Sequence, residues 1–230
     1  MIREEARVMK YLVGLLLGLQ VALVVSVYVI AIQEGYLESP KLYLSSAFRQ
    51  DPARAIAGFI LPLTSMIYGV IVSHRLWYLY SMTRDVRDSR FYWVACFALG
   101  CAVFGMIGVS AVSLDVSKLI HWLAASVLFL GSGLLMCMLT LLDRRLKVVQ
   151  PHWLMIVKIS LTSLSILSVV LMGSAAFFSY LVGSVFELIL AACLVAYLVA
   201  LVHDSSFPIV VIEKIPRSPR PSGREIKDDL

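Results

Sequence analysis

The chain has 230 residues, of which 60% are hydrophobic and 15% are charged, and its mean hydropathy is +0.88. Water-soluble domains are about half apolar, so this composition excludes a soluble globular protein and indicates an integral membrane protein. The formal net charge is +5, but the basic residues flank apolar runs instead of forming a basic domain interleaved with aromatics, so nucleic-acid binding is not expected.

Six apolar runs, each near the ~20 residues that cross a bilayer as a helix, predict an all-α bundle of six transmembrane helices. The runs lie at 11–32, 56–76, 91–113, 118–142, 153–176 and 181–203. The SYLVGS stretch provides the turn that separates the last two. We expect an N-terminal segment at 1–10, a transmembrane domain at 11–204 and a flexible basic tail at 205–230.

Lysine and arginine predict the orientation, because cytosolic loops carry the excess of positive charge. With the N-terminus inside, sixteen basic residues lie in inner segments and four in outer segments. The inner set includes Arg75 and Lys158. We therefore expect both termini to be cytosolic.

Small residues within the runs predict close approach between helices. Gly14 and Gly18 form a GxxxG pattern. Later runs add further glycines, at Gly100, Gly105, Gly108, Gly131 and Gly133.

Two ionisable residues lie at membrane depth near the outer surface, where such residues are costly unless they are functional or strongly paired. They are Glu187, near the start of the sixth run, and His121, near the start of the fourth. Further charged residues lie at the same level, and the full candidate cluster is Arg49, Asp51, Arg54, Asp115, Lys118, His121 and Glu187. We interpret it as one outward-facing polar site in which His121 and Glu187 pair. At the inner edge, His203 and Asp204 form a second short motif.

Simpler roles remain open for several members of this cluster. Asp51 precedes a proline, as an N-cap residue does, and is interpreted as the cap of the following helix. Lys118 can extend to the headgroups, and Arg49 and Arg54 can bind lipid phosphate at the surface. His121 can be a buried histidine that donates to a carbonyl one turn away.

Three blocks of the sequence resemble the six-span family of damage-regulated autophagy modulators. They are LSSAFRQDPARAIAGFILPLTSMIYGVIVSHRLWYL, the stretch from His121 through Ala124 and Ala125 to Phe129, and Phe186-Glu187 followed by Asp204. The family includes FGF-receptor-activating protein and relatives that act in GPI-anchor lipid remodelling and in plasma-membrane phosphoinositide control. The resemblance implies a regulatory or lipid-handling protein of the endomembrane system (Golgi, ER or lysosome) or of the plasma membrane.

The sequence therefore predicts a non-enzymatic protein of lipid homeostasis or membrane trafficking. Its expected partners are membrane lipids, and other membrane proteins are a further option. Neither a catalytic residue, a metal nor a cofactor is expected. The main alternative is a proton-coupled transporter of a small molecule or lipid, in which Glu187 and His121 relay protons. A di-haem oxidoreductase is disfavoured, because three of the four histidines fall on the inner side and only His121 on the outer side.

Overall fold

A computed structural model describes residues 2–35, 44–47, 50–83, 86–112, 116–148, 150–175 and 180–203. The helices are α1 (Ile2–Gln33), α2 (Leu44–Ala47), α3 (Ala53–Met82), α4 (Val86–Ala111), α5 (Lys118–Arg145), α6 (His152–Ala175) and α7 (Tyr180–His203). All except the four-residue α2 are long and apolar enough to cross a membrane. Within the described ranges every regular element is helical, which confirms the all-α bundle of six transmembrane helices.

The helices extend beyond the apolar runs that predicted them. α1 begins at Ile2, nine residues before the first run, and α3 continues six residues past position 76. Hydropathy marks the part of a helix that lies in hydrocarbon, whereas backbone hydrogen bonding continues into the interface. The predicted bounds therefore locate each span but not its ends.

Successive spans run in opposite directions, so the bundle has two ends. The terminal end contains the start of α1, the end of α7, and the α3–α4 and α5–α6 connections. The distal end contains α2 and the α4–α5 and α6–α7 connections. The positive-charge rule predicts that the terminal end is cytosolic.

The buried apolar residues form two layers, one toward each end of the bundle. The terminal layer includes Leu16, Ile71 and Leu139, and the distal layer includes Leu23, Phe129 and Leu190. Large apolar side chains such as Phe59 and Phe104 remain exposed on the outer surface of the bundle. In a membrane this surface faces lipid tails, which are as apolar as the side chains, so no hydrophobic driving force favours their burial.

Three glycines allow α4 and α5 to pack closely. A Cβ at Gly105 would overlap the backbone nitrogen of Leu128, and a Cβ at Gly131 would lie 2.7 Å from that of Cys101. At Gly108 it would lie 2.9 Å from the Cβ of Ala124. These contacts confirm the predicted role for three of the glycines.

The other candidate glycines do not mediate helix packing within the described chain. A Cβ at Gly14, Gly18 or Gly100 would meet no atom of the described residues within 4 Å, and one at Gly133 would make only an ordinary contact. Close packing of the GxxxG pattern in α1 against another helix of this chain is therefore a wrong prediction.

Candidate functional site

At the distal end, Glu187 connects α7 to the short helix α2. Its side chain is only 8% exposed, and its Oε2 accepts a hydrogen bond of 2.9 Å from the backbone amide of Leu44, the first residue of α2. The first amides of a helix have no partner within the helix, so the carboxylate satisfies a donor that would otherwise need water. Glu187 thus holds the start of α2 against α7.

The Glu187 carboxylate also lies near α1. It interacts electrostatically with Tyr28, which is near the distal end of that helix. One turn earlier in α7, Ser184 is fully buried. The carboxylate is therefore placed where α1, α2 and α7 meet, buried within the bundle, and its depth in the membrane stays a prediction.

His121, in the first turn of α5, contacts the chain just after the end of α4 through a hydrogen bond to Val112. Ser117 caps α5 by accepting a hydrogen bond of 3.3 Å from the amide of Ile120, which places His121 in the first turn. The imidazole is 2% exposed, and its Nδ1 lies 2.6 Å from the carbonyl oxygen of Val112. A carbonyl only accepts, so Nδ1 carries the proton and donates.

This geometry confirms the simpler interpretation of His121 as a buried histidine that donates to a carbonyl. The carbonyl lies nine residues earlier in the chain, not one turn away, so the imidazole secures the chain leaving α4. The hydrogen bonds of His121 and Glu187 go to different connections, at Val112 and Leu44 respectively. Their pairing stays a prediction.

The other members of the candidate cluster fall into two groups. Asp51, Arg54 and Lys118 are exposed, whereas Arg49 and Asp115 lie outside the described residues. That the seven residues of the candidate cluster form one site also stays a prediction.

The interpretation of Asp51 as the cap of α3 is wrong. Pro52 occupies the cap position, and its side chain has no acceptor to offer the first amides of the helix. The helix accordingly begins without a side-chain cap.

At the inner-edge motif, His203 is exposed, and its Nδ1 lies 3.1 Å from the carbonyl oxygen of Val199 in the same helix. Asp204 falls outside the described residues.

A buried ion cluster lies toward the terminal end. Asp143 of α5 accepts from Arg75 of α3 through Oδ1 at 2.6 Å and from Lys158 of α6 through Oδ2 at 2.7 Å. All three side chains are fully buried. Lys158 donates a further hydrogen bond of 2.8 Å to Oε1 of Gln150, and we call these four residues the ion cluster.

The ion cluster contains two cations and one carboxylate. Burying an unpaired charge is prohibitively costly, so a single carboxylate that serves two cations is a demanding arrangement. Each oxygen of Asp143 is matched to one cation, and the three residues come from three different helices. The cluster therefore fixes α3, α5 and α6 relative to one another.

A group of hydroxyls continues from the ion cluster toward the middle of the bundle. The Oγ1 of Thr140 lies 3.3 Å from that of Thr162 and 2.8 Å from the hydroxyl of Tyr197. Tyr197 in turn donates to the carbonyl of Met136 at 3.1 Å. These bonds bring α7 into the same polar network.

The sequence reasoning missed the ion cluster. Arg75 and Lys158 entered the count of cytosolic basic residues, and the structure corrects both to buried positions inside helices. Without them, fourteen basic residues remain in the inner segments, against four outside. The available signal was Lys158, a cation five residues inside an apolar run, which indicates either function or a partner.

The fold and these sites define an integral membrane protein with six spans whose ionisable groups are paired inside the bundle. A family model described as "Frag1/DRAM/Sfk1/Cwh43P N-terminal domain" matches residues 8–205, a range that includes all six spans. The chain belongs to this family, which confirms the resemblance to the autophagy modulators and GPI-remodelling relatives. No curated protein and no solved structure matches the chain.

Proposed function

We propose that the protein acts without catalysis in lipid homeostasis or membrane trafficking, by binding a lipid headgroup at the distal end around Glu187. Autophagy regulation and GPI-anchor lipid remodelling, in an endomembrane or at the plasma membrane, are the processes that the family context favours. The central observation is a buried carboxylate that accepts a hydrogen bond from the first amide of the short segment α2. A ligand at Glu187 would change the position of that segment.

The charges at the distal end favour a zwitterionic headgroup. The carboxylate of Glu187 suits an ammonium group, whereas the exposed side chains of Arg54 and Lys118 suit a phosphate. Membrane proteins commonly bind phosphate groups through basic residues near the interface. A phosphatidylethanolamine or phosphatidylcholine headgroup supplies both charges.

The test is Glu187→Gln, which preserves the size of the side chain and removes its charge. We expect the variant to co-purify at least tenfold less zwitterionic phospholipid per protein than the wild type, and to fail in a complementation assay in cells that lack the protein. Lipidomics of detergent-purified material measures the first effect. Size-exclusion chromatography checks that the variant is folded.

Glu34→Gln is the matched control, because Glu34 is an exposed carboxylate at the same end of the bundle. It should leave the bound lipid unchanged. A Glu187→Gln variant that retains both the wild-type lipid profile and full complementation would show that the site is assigned wrongly. Selective loss of anionic lipid would exclude the zwitterionic headgroup.

A further inference from the structure

One face of α6 carries a row of polar residues into the middle of the bundle. Lys158, Thr162, Ser165 and Ser168 follow one another at intervals of four, three and three residues, the spacing of one helical face. Lys158, Ser165 and Ser168 are fully buried, and Thr162 is nearly so. Since the contacts of Lys158 and Thr162 are with α5, this face points into the bundle.

Ser165 and Ser168 differ from other hydroxyl residues of the spans. Serine and threonine in helices usually bond back to a carbonyl one turn earlier, as Thr162 does to Lys158 and Ser174 does to Val170. The hydroxyls of Ser165 and Ser168 have no hydrogen-bond partner among the described residues. A buried hydroxyl without a partner is costly, and ordered water is the usual means of satisfying it.

The polar residues of α6 are spaced regularly along the bundle, starting at the level of Glu187 in α7. Ser168 lies seven residues before the end of α6, and Glu187 lies seven residues after the start of α7, so the two are at the same depth in the hairpin. Ser165 and Thr162 follow at steps of three residues, which places the Cβ atoms of successive members about 5–6 Å apart. One water molecule can link two oxygens up to about 5.5 Å apart, twice the ~2.7–2.8 Å of a single O–H···O bond.

The neighbouring α5 leaves room beside this row. At Gly133 it has no side chain, and an added Cβ would lie 3.8 Å from the Oγ of Ser165. Beyond Thr162, the hydroxyls of Thr140 and Tyr197 are already in hydrogen-bond contact. Polar groups thus extend from Ser168, at the depth of Glu187, to the level of the ion cluster.

We propose that these residues form a hydrated path for protons, the polar track, between Glu187 and the ion cluster. A proton taken up by the Glu187 carboxylate passes along water and the hydroxyls of Ser168, Ser165 and Thr162. Lys158, whose ammonium has first released one proton past the half-buried Gln150 to the solution at the terminal end, takes it up. Each proton that enters at one end is matched by one released at the other, so the step needs no oxidant or reductant.

Lys158 is the proton-exchanging member of the ion cluster. An arginine guanidinium is not a proton donor in proteins, whereas a lysine ammonium can release a proton to become a neutral amine. Release would leave Arg75 and Asp143 as a one-to-one pair. Lys158 contacts Asp143 of α5 and Gln150 before α6, and Arg75 of α3 pairs with the same carboxylate. Thr140 of α5 and Tyr197 of α7 belong to the adjoining group of hydroxyls.

The test uses the full-length protein in liposomes that contain a pH-sensitive dye, with a potassium diffusion potential set by valinomycin. We expect wild-type liposomes to change internal pH at least tenfold faster than protein-free liposomes. The double variant Ser165→Ala with Ser168→Ala should reduce the protein-dependent rate at least tenfold. Ser174→Ala is the matched control, because Ser174 lies on the same helix but is exposed and bonded to its own backbone.

Wild-type liposomes no faster than empty ones would overturn the proposal, and so would a double variant as fast as the wild type. Thermal unfolding in detergent provides a second test. If the two hydroxyls are hydrated, the double variant unfolds at the wild-type temperature, whereas a higher unfolding temperature would show that they are dry and that no track exists.

The polar track does not depend on lipid binding at Glu187. The serine variants lie outside the proposed headgroup site, so they should co-purify wild-type amounts of phospholipid. Slow proton movement with normal lipid content supports the track regardless of the Glu187→Gln lipid result. Normal proton movement with lipid lost in Glu187→Gln would refute the track and leave the lipid site supported.

Discussion

At the scale of single residues, Asp143 is the group on which the buried charges depend. Asp143→Asn would remove the charge of the carboxylate that two fully buried cations contact. Removing one partner from a buried ion pair typically costs about 3–5 kcal/mol, because the remaining charge is uncompensated. We expect a loss of stability of that order, measured by denaturant or thermal unfolding in detergent.

Lys158→Met is the matched comparison for Asp143→Asn. It removes one cation, keeps an aliphatic side chain and leaves Arg75 and Asp143 as a neutral pair. Replacing buried charges by apolar groups of similar volume is often close to neutral, so this variant should lose less than half as much stability. Equal losses in the two variants would mean that packing, not charge balance, sets the stability of the cluster.

The sequence revealed some of these residues and not others, for a physical reason. Glu187 and His121 were recognisable as buried because each is an ionisable residue near the start of an apolar run, at a depth where water is absent. Arg75 and Asp143 both lie near the C-terminal ends of their helices, where a charged residue is usually solvated. Their contact joins positions 68 residues apart, a pairing that no local pattern reports.

At the scale of helices, the glycine contacts predict a sharp difference between two substitutions in α4. Gly105→Ala would force a methyl group into the backbone of Leu128 and should cost about 1–3 kcal/mol, the typical penalty for overpacking. Gly100→Ala places the same methyl group where no described atom lies within 4 Å, so stability should be unchanged or slightly raised. Thermal unfolding of both variants measures the difference.

A similar loss in both glycine variants would contradict close packing of α4 and α5 at Gly105. The sequence could list the small residues of the spans but could not say which of them lie in contacts. Gly100 and Gly105 are in the same helix, and only the rotation and tilt of α4 against α5 distinguish them. Hydropathy fixes neither quantity, because lipid-facing and helix-facing surfaces are almost equally apolar.

At the scale of the whole molecule, the predicted orientation decides which side of the membrane the Glu187 site and the ion cluster each face. Fourteen basic residues on the inner side against four outside predict that the N-terminus and the tail are cytosolic. Epitope tags at both ends should be reached by antibody when only the plasma membrane is permeabilised. Tags that become accessible only after all membranes are dissolved would place the ion cluster toward the lumen.

The unequal charges of the ion cluster have a consequence for how the chain enters the membrane during synthesis. α3 is synthesised before α5, so Arg75 is made before the Asp143 carboxylate that it contacts in the folded bundle. A nascent chain that stops after α5 can form a neutral pair, and only the arrival of α6 adds the second cation. The ion cluster is therefore assembled in chain order, and α6 supplies its last cation.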